Sequence, residues 1–182
     1  MQPWNDWYHC MCNTYGTWLR GDPRGWRARH HREHVEGDYK HPPPRGVYDS
    51  QLACSKSLMK REPVHLAQDV RELALNTFVA SLRRRDIEVV IASLDDHHLH
   101  ILARFSDHEP RHWIGLAKKD SSRLLSDRMR FRPDGIWAKR GKCAPIRDRL
   151  HQVSVVRYVL EHSRRGAAIW SIPAIVRIDA LK

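Results

Sequence analysis

Residues 66–105 carry the pattern that most narrows the fold. Leu66, Val70, Leu73, Ala74, Phe78 and Leu82 recur at three- and four-residue steps, the period of a helix with one buried face. Arg83-Arg84-Arg85 closes the run over 66–85, a charge suited to a helix C-terminus. A β-branched run follows at once over 87–94 (IEVVIASL), then Asp95-Asp96, then a second apolar run over 97–105 (HHLHILARF). The spacing predicts a helix that feeds directly into a β-hairpin.

The flanks extend this unit. The first half of residues 7–19 (WYHCMCNTYGTWL) reads as a strand. Residues 111–129 predict a second amphipathic helix with Trp113, Leu116, Leu124 and Leu125 on its buried side. Residues 136–146 read as extended, and 152–162 as a third helix stopped by Ser163-Arg164-Arg165-Gly166. A short strand is expected within 168–178. This order matches a ferredoxin-like split βαβ layout: an α+β fold with an antiparallel sheet and helices on one face. Residues 21–65 have no sustained period and contain Gly-Asp-Pro-Arg-Gly, His-Pro-Pro-Pro and Arg-Glu-Pro. They are expected to form a long, irregular, basic insertion after the first strand. The 182 residues are read as a single domain, 1–182, carrying that insertion at about 21–65.

Charge points to the partner. The chain has 32 Lys+Arg against 21 Asp+Glu, a net charge of +11. Residues 118–165 alone hold 14 Lys/Arg against 5 Asp/Glu, with Phe131, Trp137 and Tyr158 among them. Basic side chains neutralise phosphates and aromatic rings stack on unpaired bases, so nucleic acid is the first partner to consider. The candidate DNA contacts are Lys118, Lys119, Arg123, Arg128, Arg130, Lys139, Arg140, Lys142 and Arg157. No apolar run approaches the ~18 residues of a spanning helix, so no membrane association is expected. Met1-Gln2-Pro3-Trp4-Asn5-Asp6 lacks the basic and apolar regions of a signal peptide. Four cysteines without a C-x-x-C pair argue against a disulfide scaffold or zinc finger and fit a reducing cytoplasm.

Thirteen histidines are the first hint of chemistry. His98-Leu99-His100 opens the second strand of the hairpin, and residues i and i+2 of a strand share a face. The two imidazoles can converge on one metal ion while Leu99 enters the core. Composition alone would produce about one His-x-His by chance, so the pair draws its weight from this position. No histidine is followed two residues later by Ser or Thr, which excludes a two-histidine phosphoesterase signature. A phosphate-binding G-x-x-x-x-G-K-[ST] loop is also missing. His30-His31-Arg32-Glu33-His34 reads as a solvated basic loop. Tyr158 lies on the third helix, with His162 one turn later on the same face. A phenol, with a pKa near 10, becomes an effective nucleophile if a metal polarises the phosphate it attacks. His98, His100, Tyr158 and His162 could assemble such a site.

Three segments carry a resemblance to a known family. They are Leu94-Asp95-Asp96-His97-His98-Leu99-His100-Ile101-Leu102, Gly135-Ile136-Trp137-Ala138-Lys139-Arg140 and Val156-Arg157-Tyr158-Val159-Leu160-Glu161-His162, with Trp7-Tyr8-His9 as the opening strand. In order and spacing they resemble the single-tyrosine HUH transposases of small insertion sequences, including the REP-associated tyrosine transposases. The resemblance implies a metal-dependent endonuclease and strand transferase acting in DNA transposition. Its substrate would be single-stranded DNA with hairpin structure. Tyr158 would form a 5′-phosphotyrosine intermediate, and His98, His100 and His162 would hold Mg²⁺ or Mn²⁺. Some relatives exchange tyrosine helices between two subunits, so a homodimer is among the expected assemblies. A cytoplasmic protein, nucleoid-associated when bound to DNA, is the matching location. Two features depart from the family: the long insertion, and a histidine at position 162, where relatives often carry Gln or another polar residue. An all-histidine set favours Mn²⁺ or a later transition ion over Mg²⁺.

Two other readings use the same residues. One is a catalytically silent or domesticated nucleic-acid-binding domain of the same fold, which has no need for Tyr158, His98 and His100 to converge. The other is a zinc-dependent hydrolase with a water nucleophile, in which Tyr158 is dispensable.

Overall fold

The computed structural model describes residues 4–28, 32–38, 40–129 and 135–174. Its elements in chain order are β1 (Trp7–Thr14), α1 (Asp49–Ser57), α2 (Gln68–Arg83), β2 (Glu88–Leu94) and β3 (His98–Arg104). There follow α3 (Pro110–Met129), β4 (Trp137–Pro145), α4 (Arg149–Glu161), a 3-10 turn (His162–Arg165) and β5 (Ala168–Ser171). The chain divides into two compact units, Met1–Thr14 with His65–Lys182, and Tyr15–Val64.

The first unit is α+β. Its five strands form one antiparallel sheet in the order β4-β1-β3-β2-β5. The central four are the split βαβ arrangement expected from the sequence, and β5 extends the sheet beyond β2. Local chemistry sets the helix starts. The Leu66 N–H donates to the Asp96 carbonyl at 2.6 Å, so α2 begins after the first residue of the apolar period. Pro110 opens α3, a position where a missing N–H costs nothing. Asp148 caps α4 by accepting from the His151 N–H, which starts that helix three residues before its apolar pattern becomes visible. Gly166, at φ 74°, ends the 3-10 turn in the left-handed conformation that glycine adopts without strain.

Helices cover both faces of the sheet. α2 and α3 share one face, where Phe78 meets Trp137 edge-on and Trp137 Nε1 donates to Ser121 Oγ at 2.8 Å. The alternation of β3 puts Leu99, Ile101 and Ala103 on one side and His98, His100 and Leu102 on the other. α4 packs on the histidine side: Val155 and Val159 join Trp7, Ile91, Leu102 and Ile146 in one apolar cluster. Each such burial is worth ~1.5–3 kcal/mol. The expectation of helices on one face thus holds for α2 and α3 but not for α4. Five consecutive residues of β3, Leu99 to Ala103, are fully buried, and a strand apolar on both sides needs a cover on both.

The second unit, Tyr15–Val64, is held largely by polar and ring contacts. The Arg24 guanidinium pairs with Asp22 and lies over the Trp18 ring at 5.1 Å. Arg61 lies 4.2 Å over the Tyr15 ring, and the Val64 N–H donates to the Tyr15 carbonyl. α1 buries none of its residues, so it left no apolar period in a segment expected to be irregular. His30 and His31 of the histidine cluster lie outside the described residues. No described helix is long and apolar enough to cross a membrane.

Candidate active site

The site is built on β3 and α4. Asp95 fixes the start of β3, its Oδ1 accepting the backbone N–H of His97 at 2.9 Å and of His98 at 2.6 Å. His98 and His100 then project from the same face, their ring centroids 4.2 Å apart. α4 crosses above and brings Tyr158 to 5.1 Å from the His100 ring. His162, at the first position of the 3-10 turn, lies 4.6 Å from His100 and 4.9 Å from Tyr158, ring to ring. The sequence-predicted set of His98, His100, Tyr158 and His162 is therefore gathered in one place, with His100 at its centre.

Burial divides their roles. His100 is 1% exposed and His162 5%, whereas Tyr158 is 42% exposed and can meet a substrate. Burial, reinforced by His98, His9 and His162, holds His100 far below the ordinary imidazole range. Burial also lowers His162, against the opposing pull of Asp95 and Glu161. Both rings are therefore neutral at neutral pH, the state that binds metal.

Three buried side-chain atoms lack a hydrogen-bond partner among the described residues: His100 Nε2, His162 Nδ1 and Ser93 Oγ. Ser93 stands directly opposite His100 in the β2–β3 ladder. Unpartnered buried polar atoms are costly and call for an explanation. Two buried imidazole nitrogens in one corner fit a metal ligand set, and imidazole favours Mn²⁺ or a later ion over Mg²⁺. His98, His100 and His162 do not, however, form the tightest ligand cluster. Only one set of three among the described residues brings a ligand atom from each within 4.8 Å of both others, and it is His65, Asp96 and His97.

Two residues at the site had not been singled out from sequence. His9 Nε2 lies 3.0 Å from His100 Nδ1, and the His9 ring stands edge-on to Tyr158 at 6.1 Å. Burial, then the charges of His151, His98 and Lys142, lower His9 to about 4. The other residue is Ser93. The period-2 alternation of Trp7-Tyr8-His9 gives His9 a face, but nothing local gives it His100 as a neighbour.

The candidate DNA contacts are spread over more than one place. Lys118, Lys119, Arg123 and Lys139 line an open cleft of about 540 Å³ between α3 and β4, with Trp137 and Ser122. Lys118 Nζ donates to the carbonyls of Ala138 and Arg140, so this ammonium braces β4. Lys142 lies opposite Met11 in the β1–β4 ladder, and its charge reaches His9. Arg157 is exposed beside Tyr158, and Arg140 is exposed on β4. Arg130 and the Arg128 side chain lie outside the described residues. Trp137 is 7% exposed, an anchor for β4 rather than a stacking surface.

No known family model matches the chain, and no curated protein matches it. Among solved structures, the chain is similar to a REP-associated tyrosine transposase bound to a REP hairpin. The TM-score is 0.51 at 11% sequence identity, over 91% of this chain and 70% of that one. The two share a fold.

Proposed function

We propose that the chain is a single-tyrosine HUH transposase: a metal-dependent endonuclease and strand transferase acting on single-stranded DNA with hairpin structure. One observation carries the reading. A half-exposed tyrosine stands over two buried histidines, each with one ring nitrogen that has no hydrogen-bond partner among the described residues. A nucleic-acid-binding surface has no use for that arrangement. The shared fold with a transposase bound to a hairpin supports the substrate class, as does the excess of basic residues over 118–165.

His98, His100 and His162 would hold Mn²⁺ or Mg²⁺, which supplies Lewis acidity at the scissile phosphate. Tyr158 Oη attacks phosphorus and gives up its proton to water at its exposed edge. The P–O3′ bond breaks, the leaving oxygen takes a proton and becomes a free 3′-OH, and the 5′-phosphate stays on the tyrosine. Attack by another 3′-OH on this phosphotyrosine reverses the bond changes and rejoins strands without ATP. Arg157 and Lys142 would hold the phosphates beside the cut, and the α3–β4 cleft would hold the DNA further along.

The test is incubation with labelled single-stranded DNA from the flanks of the gene, with Mn²⁺ and with chelator. A metal-dependent covalent adduct on a denaturing gel is expected. DNA binding without adduct or cleavage under any divalent ion would leave the silent binding domain as the better reading.

A further inference from the structure

We propose that His65, Asp96 and His97 form a second cation site, separate from the histidines under Tyr158, that takes a borderline first-row ion such as Zn²⁺. Asp96 and His97 occupy the β2–β3 turn, and His65 lies just before α2. The backbone ties the two segments together through the Leu66 N–H and the Asp96 carbonyl, 2.6 Å apart. The Asp96 carboxylate lies between the two imidazoles. Its Oδ2 is 2.9 Å from His65 Nδ1 and its Oδ1 is 2.5 Å from His97 Nδ1. One ligand atom from each residue lies within 4.8 Å of both others. The His65 and His97 rings are 6.0 Å apart.

Two imidazole nitrogens and one carboxylate oxygen make up a familiar three-ligand set for Zn²⁺, whose remaining position goes to water. Water can reach it, since the His65 and Asp96 side chains are 60% and 39% exposed. Mg²⁺ demands oxygen ligands and is a poor match. The site uses none of the side chains proposed to hold the catalytic ion. An ion here would clamp the turn that leads into His98 to the segment entering α2. The competing explanation is a carboxylate that merely pairs with two imidazoles, and metal binding separates the two.

The experiment is calorimetric titration of the full chain with Zn²⁺ near neutral pH, with Co²⁺ absorption as a second readout. The variants are His65→Ala, Asp96→Asn and, as the control for the other site, His100→Ala. His65 is exposed and Asp96→Asn keeps the backbone carbonyl that accepts from Leu66, so both variants retain the local fold. We expect a Zn²⁺ equivalent that persists in His100→Ala and weakens at least ~10-fold in His65→Ala and in Asp96→Asn. Wild-type Zn²⁺ affinity and stoichiometry in both of those variants would overturn the proposal, as would the absence of Zn²⁺ binding by the wild type. Loss of the ion in His65→Ala alongside a missing covalent DNA adduct in the wild type would support this site while removing the transposase reading.

Discussion

His9 Nε2 lies 3.0 Å from His100 Nδ1, between two stacked and buried rings. The contact determines which nitrogen of His100 is available. If His100 Nδ1 carries the proton and donates to His9, the lone pair of His100 sits on Nε2, the atom without a hydrogen-bond partner among the described residues. Histidine ligands are commonly oriented in this way by a hydrogen bond to the other ring nitrogen. His9→Phe should therefore lower Mn²⁺ affinity by ~10–100-fold, measured by calorimetry. His9→Gln, whose amide oxygen can accept the same proton, should restore part of it. Equal affinity in His9→Phe and wild type would show that His9 only fills space.

Ser93 tests the same corner from the opposite strand. Its hydroxyl is buried and has no hydrogen-bond partner among the described residues, a state that costs ~1–3 kcal/mol. Ser93→Ala should raise the Tm of the metal-free protein while weakening Mn²⁺ binding, because the hydroxyl can hydrogen-bond to a metal-bound water. A lower Tm would show that the hydroxyl has a partner within the metal-free fold.

Stability of the metal-free protein should fall on the acid side. Burial depresses His9 to about 4 and His100 and His162 below the ordinary value near 6.5. Between those limits the unfolded chain binds more protons than the folded one. Stability is therefore complete above about pH 6.5 and declines as pH drops toward 4. Each strongly depressed histidine contributes a limiting slope of ~1.4 kcal/mol per pH unit. Denaturant melts at a series of pH values check this, and a flat profile from pH 7 to 5 would contradict it.

DNA affinity should depend steeply on salt. A single-strand phosphate contact contributes about −0.7 to the slope of log K against log salt. Lys119→Gln, Arg123→Gln and Lys139→Gln should each make the slope shallower by up to that amount. Lys118→Gln should differ: its ammonium holds the Ala138 and Arg140 carbonyls, so the main effect should be a lower Tm. Fluorescence anisotropy over a salt series, with parallel melts, separates the two outcomes.

Period and alternation made much of this protein legible. The helix over 66–85, the hairpin after it and the shared face of His98 and His100 all follow from local pattern. So does the one-turn spacing of Tyr158 and His162. Neighbours across strands do not. His9 pairs with Leu102 and meets His100 diagonally, and Ser93 meets His100 only through the β2–β3 register. That register is fixed by tertiary packing, which no single segment encodes. The same limit hid the His65–Asp96–His97 cluster, in which His65 lies 31 residues before Asp96 in the chain. The second cover on the sheet was also concealed, because an apolar run such as Leu99-His100-Ile101-Leu102 can serve either one face or two.

The central claim is that Tyr158 is the nucleophile. Tyr158→Phe removes one oxygen from a ring that remains packed beside His100 and His162, so fold, metal binding and DNA binding should persist. The decisive measurement is mass spectrometry of proteolysed protein after reaction with single-stranded DNA and Mn²⁺. The account predicts a nucleotide adduct on the peptide containing Tyr158 in the wild type and no adduct or cleavage in Tyr158→Phe. Cleavage by the Phe variant at a rate comparable to wild type would contradict it and assign the attack to water or another residue.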